Sequence, residues 1–180
     1  MRIIAGSRKG ARIYAPRGWD TRPTSDMVRE AAFNLIGSVD GARVLDLYAG
    51  SGAMGLEALS RGASRVVFVD NDPRAIAAIE RNLDKLRLTG AETVQNDAPR
   101  YLAAEAATGR RYDLVLIDPP YRTLDTALAM LAPNLPAIVA PSGLVVVESD
   151  ARQDPELPLA LRTTRRYGST RLTLFEAEHA

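Results

Sequence analysis

At 180 residues and 19.5 kDa the chain has the length of one domain and can bury most of the apolar surface that its unfolded form exposes. Its 46% hydrophobic and 25% charged composition excludes intrinsic disorder, collagen-like repeats and coiled coil, and the absence of cysteine excludes disulfides, thiolate metal sites, cysteine-held clusters and cysteine nucleophiles. The net charge of +1 is unevenly spread: residues 1 to 22 hold six basic groups against Asp20, net +5, while the remaining 17 basic and 21 acidic residues give −4. A basic arm with Tyr14 and Trp19 interleaved suits a polyanion, and suits a solvated arginine-rich hairpin equally well. The one histidine, His179, sits next to the chain end, so a histidine triad and a multi-histidine metal site are excluded and no metal is expected. Nothing resembles a signal peptide or a membrane span, and a cytoplasmic location is expected.

In chain order, Arg2 to Ile4 and Ala11 to Tyr14 read as a small hairpin around a glycine-bounded turn. Val28, Ala31, Ala32, Leu35 and Ile36 then give a helical face, opened by Thr24 or Ser25 as N-cap and closed by Gly37. From Arg43 onward short continuous apolar runs alternate with helical periodicities. The runs are Val44 to Leu47, Val66 to Val69, Thr93 to Gln95, Leu114 to Ile117 and Leu144 to Val147. Between them lie helical segments from Met54 to Leu59, from Ile76 to Leu86, around Leu102, and from Leu124 to Leu131. Strands apolar at consecutive positions are covered on both faces, which predicts a doubly wound, mostly parallel α/β sheet. Leu159 to Tyr167 and Leu172 to Phe175, separated by Gly168 and Ser169, predict a terminal hairpin that places an antiparallel strand at one edge. The chain therefore reads as one domain over 1–180, with a 1–40 extension on a 41–180 core.

The first strand runs into Asp46-Leu47-Tyr48-Ala49-Gly50-Ser51-Gly52-Ala53-Met54-Gly55, a glycine-rich turn opening a helix, and Asp70 follows 20 residues after Gly50 at the end of the second strand. Glycines allow the tight turn and close approach of a cofactor, and the distal acid suits the two hydroxyls of a ribose. Nicotinamide dinucleotides and S-adenosylmethionine both match that spacing. Asp46 favours the second, which carries a cationic ammonium and sulfonium and no phosphate. The fourth strand ends in Asp118-Pro119-Pro120-Tyr121, where α/β sheets place ligands. The carboxylate and a proline carbonyl can both accept from one NH₂ group, favouring the pyramidal, nucleophilic form of a nucleobase amine, and Tyr121 can stack on its ring.

Asp118-Pro119-Pro120-Tyr121 resembles the catalytic motif of S-adenosylmethionine-dependent methyltransferases acting on exocyclic amines of adenine, cytosine or guanine. Two further stretches, Arg2 to Gly10 and Arg22-Pro23-Thr24-Ser25-Asp26-Met27-Val28-Arg29-Glu30-Ala31-Ala32-Phe33-Asn34, are similar to the bacterial 16S rRNA guanine-N2 methyltransferase family, and the similarity runs from Arg2 to near Phe175. The resemblance implies a Rossmann-like class I methyltransferase that transfers a methyl group to the N2 amine of a guanine in small-subunit rRNA, free or in an assembling 30S subunit. By position it implies that Asp46, Gly50 and Gly52 line the cofactor's amino-acid end, Asp70 holds the ribose and Asp97, after Asn96, meets the adenine edge; Tyr48, Asn71 and Asn96 are counted with them as cofactor-binding residues. It assigns catalysis to Asp118, Pro119, Pro120 and Tyr121, and RNA contact to Arg8, Lys9, Arg12, Arg17, Arg22 and Arg29. The competing readings are a DNA adenine-N6 or cytosine-N4 methyltransferase and a nicotinamide-binding oxidoreductase.

Overall fold

The apolar runs form strands β1 (Arg43–Leu47), β2 (Arg65–Asp70), β3 (Ala91–Gln95), β4 (Tyr112–Ile117) and β5 (Val139–Asp150), followed by β6 (Ala160–Tyr167) and β7 (Thr170–Glu176), in a computed structural model that describes residues 1–16 and 25–177. They build a seven-stranded sheet in the order β3-β2-β1-β4-β5-β7-β6. The first five strands are mutually parallel, and β7 runs antiparallel to both of its neighbours. The antiparallel strand is thus not the edge. It is inserted between β5 and β6, and β6 forms the rim.

Helices cover both faces, as the unbroken apolar runs require. Val44, Phe68, Leu116 and Val146 pack under α1 (Asp26–Ile36), α2 (Ala53–Ser60) and α3 (Pro73–Leu86). Leu45, Val67, Val115 and Val147, one residue along in each strand, pack under α4 (Ala98–Ala106), α5 (Leu124–Leu131) and the short α6 (Leu135–Ile138). Ser25 caps α1 by accepting from the Val28 N–H at 3.2 Å, and Gly37 closes it at φ 87°. Among the described residues no helix is long and apolar enough to cross a membrane.

The N-terminal hairpin is reduced to one antiparallel bridge, Arg2 to Arg12, around a 3₁₀ turn at Gly6–Arg8. It is part of the core: Ile3 and Ile13 are buried in the face beneath α1 to α3. It is also bolted to α2. The fully buried Glu57 carboxylate accepts from the Ile4 and Ala5 N–H groups at 2.8 and 2.9 Å and from Arg61 Nε at 2.8 Å. Ser60 Oγ donates to the Ala5 carbonyl at 2.6 Å and accepts from the Arg8 N–H at 2.9 Å.

The seam leaves no room at Gly6. At φ +79° a Cβ on this residue would lie 1.8 Å from the Ser60 carbonyl oxygen, whereas one on Gly10, at φ +83°, meets nothing. Gly6→Ala is expected to cost about 3 kcal/mol, or roughly 6–12 °C in Tm, because overpacking against backbone adds to left-handed strain. Gly10→Ala carries only the strain, about 1 kcal/mol. Thermal melts of the two variants check this, and equal losses would show that the seam is slack.

Candidate active site

All the loops that matter leave the sheet at the carboxyl ends of β1, β2, β3 and β4, where the strand order reverses around β1 and β4. The turn after β1 is held from two sides. Asp46 is buried at the end of β1, and its Oδ2 accepts from the Gly55 N–H at 3.0 Å, fixing the first turn of α2. Asp70 accepts from the Gly50 N–H at 2.8 Å and, through its other oxygen, from the Asp72 N–H at 2.9 Å. Gly50 and Gly52 take φ of 58° and 76°, and Tyr48 adopts φ 60° despite its side chain, so the chain doubles back tightly over β1. A Cβ on Gly55 would sit 2.3 Å from the Phe68 ring and 2.9 Å from Asp46 Oδ2, which is why only glycine lets α2 start so close to the sheet.

Burial pushes the Asp46 carboxyl up to about 8, with the Asp70 charge adding to the rise and the Gly55 N–H opposing it. The unfolded carboxyl titrates near 4, so the stability that this group contributes is complete below about pH 4 and is lost as pH rises towards 8. Asp46→Asn keeps an acceptor for Gly55 and carries no charge. The Tm difference between wild type and Asp46→Asn is therefore expected to move in the variant's favour from pH 5 to pH 8. A difference independent of pH contradicts a neutral, buried Asp46.

The other expected cofactor residues fall around the same turn. Asn96 donates its N–H to the Asp70 carbonyl at 3.0 Å, and its Oδ1 accepts from the Asp97 N–H at 2.9 Å. Asp97 caps α4 by accepting from the Arg100 N–H at 3.3 Å. Tyr48 and Asp97 line one cavity of about 160 Å³ together with Pro99, Thr123 and Met130. Burial, followed by the Asp97 charge, pushes the Tyr48 phenol up to about 12, so it stays a donor. Asn71 is exposed beside Asp70.

Asp118-Pro119-Pro120-Tyr121 follows the last residue of β4. The Pro120 carbonyl accepts from both the N–H and the hydroxyl of Thr123, each at 2.9 Å, and Gln153 Nε2 donates to the Tyr121 carbonyl at 3.1 Å, so the motif is pinned at both ends. The half-buried Tyr121 hydroxyl lies 3.4 Å from Glu148 Oε1 and 3.5 Å from Thr170 Oγ1. Burial, and behind it the Glu148 and Asp118 charges, holds that hydroxyl above its ordinary value against the opposing Thr170 hydrogen bond. Beside it opens a cavity of about 300 Å³ lined by Tyr121, Arg122, Asp150, Arg152 and Gln153.

The basic residues divide. Arg29 is wholly buried: its Nη2 donates to the Arg2 carbonyl and to Asp26 Oδ1, at 2.8 Å for the latter, and its Nε faces Glu57 at 3.7 Å. The expectation that it contacts RNA is corrected, because no phosphate reaches a side chain enclosed between α1, α2 and the hairpin. Arg8 is also committed, donating to the Leu86 and Arg87 carbonyls at the end of α3. Lys9 and Arg12 are exposed, while Arg17 and Arg22 lie outside the described residues.

Three residues that the motifs did not reveal belong to the site's frame. Glu57 and Glu148 are described above. Asn82, buried on α3, clamps Tyr14 by accepting its N–H at 2.7 Å and donating to its carbonyl at 2.9 Å, and donates to the Ser51 carbonyl at 3.3 Å. It thereby ties the N-terminal hairpin to the glycine turn.

The sheet order, the glycine turn after β1, the acid after β2 and the Asp-Pro-Pro-Tyr turn after β4 together define a Rossmann-like methyltransferase domain of the S-adenosylmethionine-dependent class. The chain belongs to the family described as conserved hypothetical protein 95, whose profile matches residues 1–176. It is 39% identical over 183 residues to YlbH of Bacillus subtilis, covering 98% of each chain. With the ribosomal RNA small subunit methyltransferase D of Escherichia coli K12 it shares 33% identity over 184 residues, covering 99% of this chain and 90% of that one. The solved structure of yhhF from E. coli superposes with a TM-score of 0.84 at 32% identity, over 100% of this chain and 99% of the other. The T. thermophilus 16S rRNA N2 G1207 methyltransferase, solved with AdoMet and guanosine, shares the fold at TM-score 0.70 and 23% identity, over 91% of this chain and 45% of that one.

Proposed function

We propose that this protein transfers a methyl group from S-adenosylmethionine to the exocyclic N2 amine of a guanine in small-subunit rRNA, acting in the cytoplasm on free rRNA or an assembling 30S subunit. The observation that carries this reading is Asp118-Pro119-Pro120-Tyr121 at the carboxyl end of β4, beside the glycine turn of β1. Membership of a family with an rRNA small subunit methyltransferase supports the RNA class. The site also fits the cofactor chemically. It is rich in acceptors, with Asp70 and Asp97 around the turn and the buried Asp46 bracing it from behind, and the ligand offers a cation, ribose hydroxyls and an adenine amine.

When bound, S-adenosylmethionine supplies an electrophilic methyl on sulfur. The chain does the rest by positioning. Thr123 already occupies the Pro120 carbonyl, so the Pro119 carbonyl and the Asp118 carboxylate are the acceptors for the two amine hydrogens. Holding both out of the base plane returns the nitrogen lone pair to the reacting direction. Tyr121 stacks on the base, which must be unpaired or flipped to enter. As the nitrogen–carbon bond forms and the carbon–sulfur bond breaks, the surplus proton leaves through Asp118 to solvent. Residues 41–180 hold this chemistry, and in the 1–40 extension Lys9, Arg12, Arg17 and Arg22 are the proposed phosphate contacts.

Calorimetry tests the cofactor half: S-adenosylhomocysteine binds and NADH does not, and the reverse result rejects a methyltransferase. Asp70→Ala is expected to weaken S-adenosylhomocysteine at least about tenfold, since it removes charge-assisted acceptors for the ribose and the anchor of Gly50. Affinity equal to wild type takes Asp70 out of the site. For the substrate, rRNA from cells lacking the protein is expected to lose N2-methylguanosine, and an unchanged content rejects guanine N2.

A further inference from the structure

We propose that Glu148 selects guanine, its carboxylate accepting the base N1–H while Asp118 accepts from the adjacent N2 amine. This rests on the guanine-N2 reading above and adds the residue that would impose it. Placement comes from the sheet. β4 and β5 are parallel and in register up to Ile117 and Val147, so Glu148 continues β5 beside the point where the chain leaves β4 at Asp118, neighbouring strands in a sheet lying about 4.8 Å apart. Tyr121, the proposed stacking platform, reaches back to Glu148 Oε1 at 3.4 Å, so the second carboxylate lies at the edge of the ring on which the base would stack. Glu148 is buried to 8% exposure, where a paired acceptor discriminates more sharply than in water.

The chemistry of the bases gives this pair a use. The atom next to the reactive amine is a donor, N1–H, in guanine, whereas in adenine and cytosine it is a bare ring nitrogen, an acceptor. Two carboxylates side by side match the donor–donor edge of guanine. They set a charged oxygen against a lone pair in the other two bases, and so reject them although each also offers an amine. Asp118 with the prolines activates any such amine. Discrimination needs a second group at this place, and β5 supplies it.

The test replaces the target guanine, at the position that the wild-type enzyme methylates, with 2-aminopurine, which keeps the C2 amine but has a bare N1. Wild type is expected to prefer guanine by about 100-fold in kcat/KM. In Glu148→Gln the amide can donate to that bare nitrogen, and the preference is expected to fall below about tenfold while S-adenosylhomocysteine affinity is unchanged. A side chain that merely oriented Tyr121 would lower both substrates alike. The proposal is overturned if wild type accepts 2-aminopurine within about threefold of guanine, a result that needs no variant, or if Glu148→Gln retains the full preference. Either outcome leaves the guanine-N2 reading standing. A wild-type enzyme that methylates another base or another atom overturns that reading instead.

Discussion

Asp118→Ala is expected to bind S-adenosylhomocysteine within about twofold of wild type and to transfer methyl groups at least about 10²–10³ times more slowly, the usual cost of removing one preorganised acceptor or donor from a transition state. The reason lies in when the hydrogen bond is needed. A planar nucleobase amine is content with one acceptor or with water. As its nitrogen becomes pyramidal and gains positive charge, the acidity of its hydrogens rises and a fixed carboxylate is worth more, so the loss falls on kcat rather than on cofactor affinity. Geometry supports the separation, because Asp118 follows β4 whereas the glycine turn is anchored by Asp46 and Asp70 from β1 and β2. Calorimetry and a single-turnover assay on the same preparation decide it. Loss of cofactor binding with loss of rate would mean that Asp118 serves the cofactor and that the proposed roles are wrong.

The largest effect on stability is expected at Glu57. Its carboxylate takes two backbone N–H groups of the hairpin and the Arg61 guanidinium, and it is the counter-charge nearest the buried Nε of Arg29. Glu57→Ala leaves Arg29 enclosed with only the partly exposed Asp26 for charge, and leaves the Ile4 and Ala5 N–H groups without their acceptor. Breaking one side of a buried ion pair costs about 3–5 kcal/mol, or roughly 6–20 °C in Tm for a domain of this size. Glu57→Gln is expected to recover little of this, since its amide sets a donor against donors. A calorimetric Tm for Glu57→Gln within about 2 °C of wild type would show that the hairpin is seated by apolar packing at Ile3 and Ile13 instead.

That ion pair also marks a limit of what local sequence encodes. Strands β1, β2 and β4 are legible because burial on both faces demands consecutive apolar residues, and the glycine turn and Asp118 turn are legible because few residue types allow their backbones. β3 begins two residues before its signal at Thr93 to Gln95, since Ala91 and Glu92 also stand on this half-exposed strand. β5 begins at Val139 rather than Leu144: Pro141, Ser142 and Gly143 interrupt the apolar run, yet the chain stays paired through a shift of register opposite Tyr112 and Leu114. The last hairpin is visible as two extended segments, but nothing local says that β7 leaves its sequence neighbour at the rim and adds to β5. Arg29 is grouped with the RNA contacts by the resemblance and its charge, yet the sequence holds a signal against that. Its spacing to Phe33 and Ile36 places it on the apolar stripe of α1, and Glu57 is likewise the single acid of an apolar helix, two signals that buried charges are paired rather than offered to RNA. Glu148 carries no motif, and its place becomes visible only once β4 and β5 are in register.

The most direct measurement takes small-subunit rRNA, free and in subunits, from a strain lacking the protein, and incubates it with purified enzyme and S-adenosylmethionine bearing an isotopically labelled methyl group. Digestion to nucleosides and mass spectrometry then locate the label. Recovery of the label as N2-methylguanosine, with none from Asp118→Ala, is the result expected. Label in N6-methyladenosine or N4-methylcytidine, or no label from an enzyme that calorimetry shows to bind S-adenosylhomocysteine, would contradict it.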